Sequence, residues 1–190
     1  RNPFIAPRWF TEGFPDVPLD GELYMGRGKG WLQRTVSAVS KDVPRDDEWT
    51  LLQYRVFDLP THPGPFHARY KALLSLVASL PKSTQQLLRV VPHAPISSRA
   101  QLLRDFRVVK DGGGEGLMAR DPDSPYVHGR STTLLKIIER QETEVRILGT
   151  TPGTGKNKGR VGSYHVQFLD TGVEFKVGSG IPEAQRAHPL

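Results

Sequence analysis

The sequence lacks both cysteine and long apolar runs. None of its 190 residues is a cysteine, which excludes disulfides, cysteine-ligated zinc and thiol nucleophiles. No stretch approaches the unbroken apolar length of a membrane helix, so we expect no membrane partner. The six histidines do not fall at a metal-ligand spacing, and His62 and His67, in a proline-rich segment, are expected on the surface.

Glycine, proline and positive charge are plentiful. The 19 glycines and 16 prolines favour a fold with many turns and short strands. Hydrophobic residues make up 37% of the chain and charged residues 24%, as in ordinary globular proteins. The formal net charge of +6 indicates an anionic partner, with nucleic acid first.

Periodicity predicts an α+β protein in two parts. Apolar residues at three- and four-residue steps predict a helix over 66–80, and further helices are expected over 31–39 and 98–106. Strands are expected at 49–59, 88–91, 116–120 and 132–138. Short alternating segments predict antiparallel strands at 144–148, 163–169 and 173–177. We place a domain boundary between the segments 1–140 and 141–190.

The residues of chemical interest lie on or beside the predicted strands: Glu22, Phe57, Glu115 and Lys136. Each has an ordinary structural interpretation when it is taken alone. The Asp–Gly pair at 20–21 is typical of a hairpin turn, and Phe57 is typical of a core residue. Glu115 fits an exposed acid in a glycine-rich bend, and Lys136 fits a strand edge.

Together these residues form an ordered pattern. The segments are LDGEL at 19–23, YRVFD at 54–58, GEGLM at 114–118 and LLKI at 134–137. In this order the chain resembles the covalent nucleotidyltransferases, which comprise ATP-dependent DNA ligases, RNA ligases and capping enzymes. Three more segments are most similar to the minimal bacterial ATP-dependent DNA ligases: APRWF at 6–10, GRG at 26–28 and GTGKNKG at 153–159.

The resemblance implies a fold, cofactors and roles. It implies an adenylation domain of antiparallel sheets with flanking helices, followed by a partial OB-fold. The implied cofactors are ATP and Mg²⁺, the partner is nicked duplex DNA, and we expect a monomer. Glu22 would bind the ribose hydroxyls or support the metal, and Phe57 would stack on adenine. Glu115 would hold Mg²⁺ and Lys136 would face the α-phosphate.

The chain also departs from the family pattern. The family's nucleophilic lysine lies in a Lys-x-Asp-Gly motif upstream of Arg1, so we assign no catalytic residue. We therefore expect the chain as given not to form a lysyl-adenylate. The segment KDG at 110–112 lacks the intervening residue, and we do not assign Lys110 as the nucleophile. Ile138 stands where the family usually has a second lysine, and the C-terminal motif that orients pyrophosphate would follow residue 190.

The glycine- and lysine-rich stretch 151–160 is not a P-loop. Its first glycine is misplaced, and Asn157 stands where a Ser or Thr must follow the lysine. Spacing alone is equally consistent with a solvated hairpin. The resemblance favours a basic loop between two OB strands, with Lys156, Lys158 and Arg160 near DNA phosphates. Arg27, in the GRG segment, is also expected to contact DNA.

The function implied by the resemblance is ATP-dependent sealing of DNA nicks in repair, replication or recombination. It would proceed through lysyl-AMP and DNA-adenylate intermediates. Two explanations of the absent motifs remain open: a fragment of a longer ligase, or a natural non-catalytic remnant that only binds nucleic acid. An RNA ligase or a capping-type nucleotidyltransferase is a further alternative, although the DGEL segment and the basic loop suit a DNA ligase better.

Overall fold

The chain folds into two compact units of mixed α and β structure. A computed structural model describes residues 3–139 and 142–189, and the units are Arg1–Glu139 and Arg140–Leu190. The boundary expected at 140–141 lies outside the described residues. Within the described ranges, every helix is too short or too polar to cross a membrane. The predicted α+β class is confirmed.

The first sheet of the first unit contains three strands. They are, in sheet order, β1 (Asp20–Tyr24), β2 (Gln53–Asp58) and β3 (Leu88–Val90). β1 and β2 are antiparallel, whereas β2 and β3 are parallel. This parallel pairing differs from the antiparallel sheets we expected. It arises because the chain crosses back between β2 and β3 through two helices, α4 (Phe66–Ser79) and α5 (Lys82–Leu87).

The second sheet is a two-stranded antiparallel ribbon. It pairs β4 (Gly116–Arg120) with β5 (Leu134–Ile138). The helix before it, α6 (Arg99–Asp111), continues beyond the predicted end at 106. It begins as expected, because the hydroxyl of Ser98 accepts a hydrogen bond of 3.1 Å from the backbone N–H of Gln101.

Three further helices build the core of the first unit: α1 (Arg8–Thr11), α2 (Trp31–Val39) and α3 (Asp46–Trp49). Trp49 of α3 lies at the centre of their packing. It is 1% exposed, and its ring centroid lies 4.9 Å from that of Phe10. The strand expected over 49–59 therefore begins only at residue 53, because the preceding residues form a helical turn that buries Trp49. A second cluster packs α4 against the first sheet through Val56, Leu59, Leu73, Val77 and Leu88.

The second unit is an antiparallel meander, as predicted. Its strands are β6 (Val145–Pro152), β7 (Val161–Phe168) and β8 (Glu174–Val177). A short helix, α7 (Glu183–Ala187), follows. Its buried Arg186 donates hydrogen bonds to the carbonyls of Val161 at 2.8 Å and Gly178 at 2.7 Å. These bonds hold α7 against the sheet.

Candidate active-site cleft

A cleft of about 710 Å³ lies between the first sheet and the turn from α6 to β4. Two acidic side chains line it: Glu22 on β1, and Glu115 immediately before β4. The basic side chains in its lining are Arg27, Lys29, Arg55 and Lys110. Its volume is in the range of sites that hold small-molecule ligands, and its lining offers both signs of charge.

A β-bulge interrupts the first sheet beside this cleft. Asp20 pairs with Asp58 and Gly21 pairs with Val56, so Phe57 is an extra residue on β2. The bulge interrupts the pairing of β1 with β2 between Asp20 and Gly21. Glu22, opposite Arg55, lines the cleft, whereas Asp20 lines a separate cavity of about 110 Å³.

Gly21 permits this arrangement. A Cβ at this position would lie 2.6 Å from the carbonyl oxygen of Arg55 and 2.8 Å from the ring of Tyr54. Only glycine lets the two strands approach this closely at the bulge. The hairpin-turn interpretation of residues 20–21 is therefore wrong, because both residues lie inside a strand.

Phe57 is turned away from the core. Val56 and Asp58 on either side of it are 0% exposed, whereas Phe57 is half-buried and lies on the side of Arg55. Among the described residues Phe57 makes no ring contact, and it lies outside the lining of the cleft. The core interpretation of Phe57 is thus wrong, and its ring remains accessible to a ligand.

Glu115 and Lys136 form an ion pair beside the cleft. The Nζ of Lys136 lies 2.6 Å from the Oε1 of Glu115, and the two side chains are 51% and 76% exposed, respectively. An exposed pair of this kind contributes about 0.2–1 kcal/mol. Lys136 can therefore leave Glu115 to bind a phosphate, and Glu115 can leave Lys136 to bind a metal cation, at a small cost in free energy.

Gly116 brings Glu115 to the edge of the ribbon. It pairs with Ile138 of β5, and a Cβ on Gly116 would collide with the carbonyl oxygen of Ile137. Only glycine therefore fits after Glu115 in this pairing. Ile138, which is 43% exposed, places an apolar side chain at the end of β5.

Asp58 does not reach the cleft. Its carboxylate accepts hydrogen bonds from the Nε and Nη2 of Arg69, at 2.7 and 3.0 Å. The Nη2 of Arg120 lies 2.9 Å from the Oδ2 of Asp58. These three residues, here called the buried triad, connect β2, α4 and the end of β4, and so tie the first sheet to the second.

Asp20 is held by Tyr126, in the loop between β4 and β5. The Tyr126 hydroxyl donates a 2.9 Å hydrogen bond to the Oδ2 of Asp20. Burial, and then the bond to the Asp20 carboxylate, raise the pKa of Tyr126 to about 12. The tyrosine is therefore a hydrogen-bond donor through the neutral pH range and fixes Asp20 away from the cleft.

The acidic side chains of the cleft fit a magnesium ion that arrives with phosphates. Within residues 3–139 and 142–189, no group of three or more His, Cys, Asp or Glu could hold a metal ion by itself. Mg²⁺ is commonly bound by one or two carboxylates together with substrate phosphates. Glu22 and Glu115 fit that smaller donor set.

The basic loop of the second unit joins β6 to β7 and contains a 3-10 helix (Gly155–Asn157). A P-loop would lead into an α-helix, so the strand that follows agrees with our rejection of a P-loop. Lys156 and Lys158 are exposed. The Nη1 of Arg160 lies 2.7 Å from the Oε2 of Glu183, so a phosphate would compete with Glu183 for Arg160.

Sequence reasoning did not assign the cleft residues Lys29, Arg55 and Lys110. Arg55 had a usable signal, because it lies two residues before Phe57 on the same strand and so shares its face of the sheet. Its guanidinium lies 4.5 Å from the centroid of the Tyr24 ring. Lys29 and Lys110 lie in loop and helix positions whose neighbours are decided by the tertiary fold.

Comparisons with known proteins place the chain in a family. No protein-family model matches it. The DNA ligase of Haemophilus influenzae is 27% identical over 183 residues, covering 96% of this chain and 65% of that protein. A solved structure from a structure–function analysis of Lig E DNA ligases, described as DNA binding with a minimal scaffold, is 34% identical. The match covers 97% of this chain and 70% of the Lig E chain, with a TM-score of 0.84. The chain belongs to the ATP-dependent DNA ligases of the minimal bacterial type.

Further DNA ligases, matched over smaller shares of their length or with a lower TM-score, agree with this assignment. The DNA ligase of Archaeoglobus fulgidus is 28% identical over 177 residues, which cover 86% of this ligase chain and 31% of that protein. The Chlorella virus DNA ligase–adenylate structure is 28% identical, covers 94% of this chain and 66% of the viral one, and has a TM-score of 0.56. The family expected from the motifs is confirmed. The ligase chain spans only 65% of the length of its Haemophilus influenzae relative.

Proposed function

We propose that this chain forms the adenylation and OB part of a ligase that seals nicks in duplex DNA with ATP and Mg²⁺. The observation that carries the proposal is a single cleft that brings Glu22 and Glu115 together from separate sheets. Lys136 lies at its edge, paired with Glu115. Two acids in one cleft, with a lysine at its edge, suit phosphoryl transfer, which depends on alignment and charge neutralisation.

The proposed roles follow from exposure and chemistry. Phe57 presents an unstacked ring outside the core, which suits stacking on adenine. Glu22 accepts hydrogen bonds from the ribose hydroxyls or supports the metal. Lys136 would bind the α-phosphate, and Glu115 would hold the cation. When bound, Mg²⁺ neutralises phosphate charge and orients the phosphate oxygens.

The covalent step requires an amine that attacks the α-phosphorus and displaces pyrophosphate. Residues 1–190 contain no Lys-x-Asp-Gly motif, so we propose that the chain as given binds ATP without becoming adenylated. In a chain that carries the motif, the adenylyl group would pass to the 5′-phosphate at a nick. The 3′-hydroxyl would then displace AMP.

The DNA contacts are proposed for exposed cations. Arg27, Lys156 and Lys158 are exposed and suit sequence-independent binding of phosphates. Arg160 contributes less, because Glu183 already neutralises it. The net charge of +6 supports an extended anionic partner.

The test is adenylation with ATP labelled in its α-phosphate, followed by denaturing electrophoresis. The present chain is compared with a form extended upstream in its own gene, and both are assayed on nicked DNA. We expect label on the extended form alone, together with sealing of nicks. A matched substrate with RNA at the nick separates a DNA ligase from an RNA ligase. Absence of label on both forms would contradict the enzyme, and label on the present chain would contradict the assignment of no nucleophile.

A further inference from the structure

Two basic residues of the cleft, Arg55 and Lys110, differ in the contacts that their charged groups make. The guanidinium of Arg55 stacks on Tyr24 at 4.5 Å and donates a 3.1 Å hydrogen bond to the Oε1 of Gln53. Lys110 lies in the last turn of α6, where its Nζ is 3.6 Å from the Oε2 of Glu139. That separation is too long for a hydrogen bond, so the contact is a loose electrostatic one.

The ammonium of Lys110 is partly removed from water and has open donor positions. The side chain is 33% exposed, and within the described residues its ammonium donates no hydrogen bond. An ammonium has three N–H donors, and partial desolvation strengthens its attraction for an anion. Because Lys110 lines the cleft, an anion in the cleft is the natural partner.

The turn after α6 holds Lys110 close to Glu115 along the chain. The N–H of Gly113 donates to the carbonyl of Lys110 at 2.9 Å, and the N–H of Gly114 donates to that of Val109 at 2.8 Å. Among the described residues at the end of β5, Ile138 is apolar and Glu139 is acidic. Lys110, which lies beside Glu139, is therefore a cation that α6 supplies next to that end of the ribbon.

We propose that Lys110 binds a phosphate of ATP in the cleft and supplies the positive charge that Ile138 does not. This role rests on the proposed function. It is a binding role and not a nucleophilic one. A lysine in the last turn of a helix also stabilises the helix dipole, but that effect does not depend on a ligand.

The test measures equilibrium binding of ATP and of adenosine to the wild-type chain and to Lys110→Met. We expect Lys110→Met to weaken ATP binding about tenfold, as for loss of a charge-assisted hydrogen bond, and to leave adenosine binding unchanged. Lys110→Arg should retain most of the ATP affinity. Adding Ile138→Lys to Lys110→Met should restore part of it, because an ammonium returns to the end of β5.

Matched controls separate the outcomes. Lys71→Met removes an exposed lysine of α4 outside the cleft lining and should bind ATP as the wild type does; Lys110→Gln repeats the test if the methionine variant does not fold. Unchanged ATP binding by Lys110→Met would overturn the phosphate-binding role of Lys110 and would leave the proposed function standing. An equal loss of ATP and adenosine would overturn that role too, because the damage would not be specific to phosphate. A wild-type chain that binds no ATP would overturn the proposed function, and this inference with it.

Discussion

The first unit contains two clusters of acid and base that differ in burial. In the buried triad, Asp58 is 0% exposed and Arg69 is 1% exposed. In the ion pair beside the cleft, Glu115 is 76% exposed. Both clusters involve motif segments and both have short contacts. Their burial indicates that the triad holds the fold together, whereas the exposed pair is available for chemistry.

The difference follows from desolvation. A buried carboxylate must have its oxygens satisfied inside the protein, and Asp58 also accepts a 2.8 Å hydrogen bond from the N–H of Leu59. Removing one member leaves a buried charge without compensation. When an exposed pair breaks, water hydrates both charged groups again, so either group can take another partner.

The largest expected effect is on the buried triad. Asp58→Asn should lower the free energy of unfolding by about 3–5 kcal/mol, because two arginines lose their buried counter-charge. Urea denaturation of the wild type and the variant measures this difference. Asp47→Asn, in the exposed pair with Arg45, is the matched control and should leave the midpoint near that of the wild type. A midpoint for Asp58→Asn equal to that of the control would remove the distinction between the two clusters.

An intermediate effect is expected at the cleft. Glu115→Gln keeps the shape of the side chain and should change stability by less than about 1 kcal/mol. It should weaken Mg²⁺-dependent ATP binding about tenfold, as for loss of one charged ligand contact. ATP affinity measured with and without Mg²⁺ separates the two contributions. Glu174→Gln, in an exposed pair of the second unit, serves as the control. Strong destabilisation by Glu115→Gln would show that the pair is structural.

The smallest effect concerns Tyr126 and Asp20. Tyr126→Phe should cost about 1 kcal/mol near neutral pH, for one hydrogen bond to a carboxylate. The pKa of Tyr126 is raised from 10.0 to about 12, so its contribution is full below about pH 10 and is lost as pH rises towards 12. Unfolding midpoints from pH 8 to 12 should therefore converge for wild type and variant at the alkaline end. A constant difference across that range would contradict the assigned hydrogen bond.

Strong local patterns were predicted well. The helix expected over 31–39 is α2, with the same bounds, and that expected over 66–80 is α4, which ends one residue earlier. The strand over 116–120 is β4. In α4 the apolar spacing repeats over many residues, and Pro81 follows the end of the helix. In β4 a run of glycines marks the start of the strand. These are local signals that a sequence carries by itself.

The short helices were not predicted. α1, α3, α5 and α7 contain four to six residues each, too few for a periodic pattern to emerge. α3 forms because burying Trp49 against Phe10 stabilises that turn. α7 is held by Arg186, which donates a hydrogen bond to the carbonyl of Val161 at the start of β7.

The sequence by itself determined the family, the absence of thiol chemistry, the positive charge and the order of the motif residues. The tertiary structure alone decided which motif side chains face the cleft. Asp20 and Glu22 are two residues apart, yet Asp20 accepts a hydrogen bond from Tyr126 whereas Glu22 lines the cleft. Asp58 is adjacent to Phe57, but it is buried by Arg69 and Arg120. Burial depends on partners that are distant in the chain, and for that reason local patterns could not have decided it.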